Sequence, residues 1–73
     1  FVFFNNFAYA NLENANFKNA GLWFVDFNSA NLTNADLSGA DLTNANLFGA
    51  DLTDAVIDAN TILKCKNHPI CLG

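Results

Sequence analysis

Along this chain apolar and polar positions recur with a period of five. Alanine falls at every fifth position from Ala10 to Ala55, with Val25 standing in once. Two residues after each comes a large apolar side chain: Leu12, Phe17, Leu22, Phe27, Leu32, Leu37, Leu42, Leu47, Leu52 and Ile57. Between the two lie Asn11, Asn16, Gly21, Asp26, Asn31, Asp36, Asp41, Asn46 and Asp51, until Val56 breaks the rule. Phe7 and Ile62 extend the apolar register on either side and Val2 begins it, while Asn5 and Asn60 depart from it in the alanine slot.

A period of five fits neither regular element. Five residues of α-helix rotate by about 500°, so successive leucines fan around the cylinder and form no stripe. In a continuous strand they alternate between faces, because five is odd. The chain must therefore turn once per pentad. Within a pentad, Ala and Leu are two residues apart, so a short extended piece points both inward and the Asn or Asp between them outward. Asn14, Asn19, Asn34, Gly39, Asn44, Gly49 and Asp54 fill the last position, where a turn calls for residues that tolerate positive φ.

Segments such as Ala35-Asp36-Leu37-Ser38-Gly39 and Ala40-Asp41-Leu42-Thr43-Asn44 resemble the A(D/N)LXX motif of the pentapeptide-repeat family. The likeness runs over residues 5 to 64. It implies an all-β fold: a right-handed square β-helix of roughly three coils with four pentads per coil, so that residue i lies beneath residue i+20. The inward columns then become Phe7–Phe27–Leu47, Leu12–Leu32–Leu52, Phe17–Leu37–Ile57 and Val2–Leu22–Leu42–Ile62. Residues 1–64 are expected to form the solenoid, with its N-terminal end incomplete, and 65–73 a C-terminal cap loop.

On this register Phe3, Phe4, Trp23 and Phe24 share one outward face, with Leu63 further along the same column, and Tyr9 and Phe48 occupy the face beside it. A solenoid has no need of large outward aromatics. A terminal segment folding over them, or a protein partner anchored on them, accounts for the cluster.

Cys65 and Cys71 bracket Pro69 beyond the last repeat. A disulfide between them would cap the open end of the solenoid over Ile57 and Ile62. The spacing Cys65, His68, Cys71 also offers three metal ligands, but no fourth Cys or His exists in the chain; two free thiols are the remaining reading. His68 beside Pro69 reads as an exposed turn residue. A disulfide points to an oxidising compartment, namely the exterior, the periplasm or an organelle lumen, and the family resemblance adds the thylakoid lumen.

Composition narrows the function. The net charge is −4, with Lys18, Lys64 and Lys66 the only lysines or arginines, which argues against direct binding to nucleic acid. Uninterrupted apolar runs such as Phe1-Val2-Phe3-Phe4 are far too short for a membrane span. Asp26, Asp36, Asp41 and Asp51, with Glu13, Asp54 and Asp58, are spread along the repeats as a solvated face. No nucleophile–base pair or phosphate loop occurs, so no enzyme activity, catalytic residue, cofactor or metal is expected. The expected role is a structural scaffold or protein–protein interaction module within a larger assembly. The alternative is an acidic DNA mimic that binds a topoisomerase.

Overall fold

The computed structural model describes residues 5–72. Each pentad folds as one short extended piece and one turn. The turn begins at the large apolar residue, whose carbonyl accepts from the N–H three residues on, as in Ala10 to Phe7, Ala15 to Leu12 and Ala35 to Leu32, all at 3.0 Å. The third residue of each turn has positive φ: Tyr9, Asn14, Asn19, Phe24, Ser29, Asn34, Gly39, Asn44, Gly49 and Asp54. Positive φ at that position alone marks a type II turn. Asn, Asp and Gly suit it; Tyr9, Phe24 and Ser29 occupy it too, although nothing in their side chains favours that conformation.

A second bond fixes the turn from outside. The Oδ1 of the outward Asn or Asp accepts from the N–H two residues on, in Asn6 to Ala8, Asn11 to Glu13, Asn31 to Thr33 and Asp36 to Ser38. Asp41 to Thr43, Asn46 to Phe48 and Asp51 to Thr53 repeat the bond at 3.0, 3.1 and 3.0 Å. These are Asx turns. They explain why Asn and Asp are interchangeable between the alanine and the leucine: each supplies the same acceptor oxygen.

Successive turns of the chain pair in parallel, and the bridges fall into four columns. They link Asn6 to Asp26 to Asn46 to Lys66, Asn11 to Asn31 to Asp51, Asn16 to Asp36 to Val56, and Gly21 to Asp41 to Ile62. Inside lie Leu22, Val25, Phe27, Leu32, Leu37, Leu42 and Leu47, all fully buried, with Ala30, Ala35, Ala40, Ala45 and Ala50 filling the space between them. Phe7 stacks on Phe27 at 5.7 Å, and Phe17 meets both rings edge-on at 6.1 and 5.8 Å. Edge-on and offset contacts are the favoured aromatic geometries.

The 20-residue register fails once. Asp41 pairs with Ile62, one residue late, and Asn46 then pairs with Lys66. The extra residue lies in the segment after Ile57, where Ala59 and Asn60 form a turn. Thr61 Oγ1 receives the Asp58 N–H at 3.0 Å and donates to the Leu37 carbonyl at 3.1 Å, holding that turn against the coil above. Ile62 is therefore 41% exposed and Leu63 only 8%. This reverses the expected inward Ile62 and outward Leu63; Leu63 stands under Leu42, and Lys64 takes the outward place under Thr43, whose neighbour Asn44 donates to the Lys64 carbonyl at 2.8 Å. Asn5, by contrast, keeps the alanine-slot pairing, its carbonyl accepting from Asp26 N–H at 3.0 Å.

Candidate interaction surface and C-terminal cap

Four of the six outward aromatics singled out from the sequence lie among the described residues; Phe3 and Phe4 fall outside them. Tyr9 and Phe48 share one column of turns. Tyr9 N–H donates to Asn28 O at 2.8 Å and Ser29 N–H to Phe48 O at 2.7 Å, which places Asn28 and Ser29 between them. Both rings stand in solvent, Tyr9 77% and Phe48 60% exposed. Trp23 and Phe24 occupy the preceding turn column. Phe24 is half exposed, and its backbone holds φ 61°. Trp23 is half-buried, and its indole Nε1–H donates to Asp41 Oδ2 at 2.6 Å. The cluster thus forms two groups on neighbouring turn columns.

The aspartates face outward as expected, but they also serve the fold. Hydrogen bonds from the Ser38 hydroxyl and N–H hold Asp36 below the ordinary carboxylate value. Thr53 does the same for Asp51, and the Asn60 N–H for Asp58. At Asp41 partial burial works to raise the value, yet bonds from Thr43 and Trp23 outweigh it, and the net shift is downward. These are bonds to the charged form, the usual cause of a lowered carboxylate.

Cys65 and Cys71 are joined in a disulfide, with Cα atoms 5.1 Å apart. Both sulfurs are thus spoken for, and the pair offers no thiolates to a metal. Cys65 lies in the alanine column beneath Ala45 and is 3% exposed, since the Ala45 carbonyl accepts from the next N–H, Lys66, at 3.0 Å. The cap does not cover Ile57 and Ile62, each of which remains 41% exposed. Instead the loop folds back across the other half of the end. Leu72 N–H donates to Leu63 O at 2.7 Å, and Ile70 and Cys71 pack against the core.

His68 is a working part of this cap and not the exposed turn residue expected. Its Nε2 lies 3.1 Å from the Ala50 carbonyl, and its Nδ1 accepts from Ile70 N–H at 3.2 Å. Those two bonds together specify the tautomer that carries its proton on Nε2. Sequence reasoning missed this because His68 lies beyond the repeat. The one available signal was that Cys65 follows Ala45 by the length of one coil.

No helix among the described residues is long and apolar enough to cross a membrane. No curated protein matches the chain. The chain is similar to a solved structure titled as a pentapeptide repeat protein (Rfr23) from the cyanobacterium Cyanothece 51142, at 35% identity and a TM-score of 0.71. The likeness covers 82% of this chain and 44% of that one, so this chain spans less than half of that relative's length. The family described as pentapeptide repeats matches in eight copies, over residues 4–34 and 26–57. Motif and neighbour together give the parallel columns a right-handed β-helical sense. The chain belongs to the pentapeptide-repeat family.

Proposed function

We propose that this chain is a non-enzymatic interaction module, and that its four columns of bridges form the sides of a square solenoid of roughly three coils. The observation that carries the functional reading is the Tyr9–Phe48 turn column. Ser29 and Gly49 stand at the position that Tyr9 occupies, so small residues suffice for the turn. Two large aromatics held in water by rigid backbone are the usual anchors of a protein interface. The partner is a protein, or a terminal segment of the same polypeptide lying over the aromatic face.

The DNA-mimic reading draws less support. Asp26, Asp51, Asp36 and Asp41 fall in four different columns, so no column stacks two of these carboxylates as an imitation of phosphate rows requires. An oxidising compartment, such as the thylakoid lumen, the periplasm or the exterior, suits the disulfide. Alkylation of freshly isolated protein without reductant checks this: labelling of both thiols would contradict it.

The interaction itself is tested with a photo-crosslinking phenylalanine placed at 48 in the native host, and a control probe at Glu13, exposed on another turn column. A defined adduct from position 48 alone is the expected result. Equal yields from both positions would contradict the assignment of the surface.

A further inference from the structure

We propose that the Tyr9–Phe48 surface docks a proline-rich segment of a partner protein that carries a lysine or arginine. The proposal rests on the interaction reading above and names the chemistry of the partner. Tyr9 belongs to one coil, Asn28 and Ser29 to the next and Phe48 to the third, as the bonds from Tyr9 N–H to Asn28 O and from Ser29 N–H to Phe48 O show. At about 4.8 Å per paired coil, the backbone positions of the two rings lie about 10 Å apart along the column. Residues i and i+3 of a polyproline II helix share one face about 9.3 Å apart. An extended strand returns to the same face at about 6.8 or 13.6 Å and so misses one ring. An α-helix reaches about 10.5 Å at its seventh residue, but its third and fourth residues come round in between. There the middle coil offers Asn28 and Ser29, which suit no apolar stripe.

The polar middle suits a polyproline II segment. Asn28 Oδ1 accepts from Ser29 Oγ at 2.8 Å, which leaves the Nδ2 hydrogens as donors; no acceptor for them occurs among the described residues. Polyproline II makes no internal hydrogen bonds, so its carbonyls remain open to such a donor between two aromatic anchors. Charge adds the basic residue. Asp26, in the same coil as Asn28, holds the turn through Oδ1 at 2.9 Å and makes no ion pair with a lysine among the described residues. The adjoining pentads, beginning at Ala10, Ala30 and Ala50, carry Glu13, Asp51 and Asp54 and no lysine, three of the four net negative charges of the chain. Their field draws a cation to this corner, and Asp26 Oδ2 receives it.

Titration of the isotope-labelled chain with a synthetic proline nonamer flanked by lysines tests this through the amide shifts of Tyr9, Asn28 and Phe48. A dissociation constant of roughly 0.1–1 mM is expected for a contact through two small anchors. A glycine–serine nonamer with the same lysines should bind about tenfold more weakly, because it has no preformed helix. Glutamate flanks in place of lysine should weaken binding about fivefold. Asp26→Asn, which keeps the turn acceptor, should weaken the lysine peptide and remove most of that difference. Tyr9→Asn and Phe48→Ala should each cost about tenfold. Asn14 and Ala8 already occupy equivalent turn positions, so both variants keep the fold, and circular dichroism confirms it. Ser38→Asn, on another column, should change nothing. No shift at about ten times the expected concentration, or equal binding of the glycine–serine peptide, overturns the proposal, as does a position-48 adduct to this chain's own terminal segment. A protein adduct from position 48 alongside a failed titration leaves the surface standing and removes the proline-rich partner; no adduct removes both.

Discussion

The indole Nε1–H of Trp23 donates to Oδ2 of Asp41 across the gap between two successive coils, at 2.6 Å. Gly21 sits directly above Asp41 in the bridge column, in the slot where neighbouring pentads carry Asn or Asp. With no side chain there, no Asx acceptor is available to the Trp23 turn, and the indole reaches to the coil below. Asp41 thereby holds two turns at once, its own through Oδ1 and that of Trp23 through Oδ2.

Asp41→Asn should therefore cost more than the same change at Asp36. An amide keeps the Oδ1 acceptor that the turn requires but presents an N–H₂ to the indole donor. The loss is about 1 kcal/mol, a hydrogen bond to a charged group discounted for access to water. Thermal melts of the two variants measure it, with the tryptophan emission of Asp41→Asn shifting to longer wavelength. Equal melts would show that the indole bond contributes nothing.

Acid should weaken the fold in a defined window. Asp36, Asp41, Asp51 and Asp58 all have folded-state values below their ordinary 3.8. A depressed carboxylate contributes stability above its unfolded value and loses it as pH falls through the folded one. The aspartate share of the stability should be complete above about pH 5, and the melting temperature should fall below about pH 4 as that share is lost. Asp36→Asn, which keeps the acceptor oxygen without titrating, should shrink that fall. A melting temperature that rises on acidification would contradict the assigned bonds.

The inward and outward positions can be separated by two adjacent substitutions. Leu37 is 1% exposed in the interior, and Leu37→Asn would bury an amide without partners at a cost of about 1–3 kcal/mol or more. Ser38 faces outward on the turn, and Ser38→Asn should leave the melt nearly unchanged. Thermal shifts of equal size would place the boundary of the core elsewhere.

Much of this was legible in the sequence because each pentad repeats one local solution. Alanine, the outward Asn or Asp and the leucine are each dictated by a bond or a contact internal to one coil, and a single strand of text displays them. The extra residue between Ile57 and Ile62 was not legible. Ile62 continues the apolar spacing as written, and only pairing with Asp41 in the coil above shows that it has slipped outward. The Asp58–Thr61 bond that absorbs the slip looks like any polar pair until Thr61 is found against Leu37 O. The cap was half legible: a Cys65–Cys71 bridge was one of the readings the tail allowed, but which half of the end it covers depends on the loop folding back to Leu63 and Ala50.

Reduction of that disulfide should lower stability by about 2 kcal/mol, the chain-entropy value for so short a loop. The sequence separation is six residues, and the loop carries Ile70 against the core and His68 against Ala50. Denaturant titration with and without reductant measures the difference. An unchanged midpoint would mean that the loop holds its place without the bridge.

The pairing of coils is read most directly by through-hydrogen-bond couplings in a long-range HNCO experiment. Leu37 N–H should couple to the Val56 carbonyl, in the regular register of the Asp36–Val56 bridge, and Leu42 N–H to the Ile62 carbonyl, one residue later than that register gives. A coupling from Leu42 to Thr61 instead would mean an unbroken period with Ile62 inside. Couplings to residues four places back in the chain would remove the β-helix altogether.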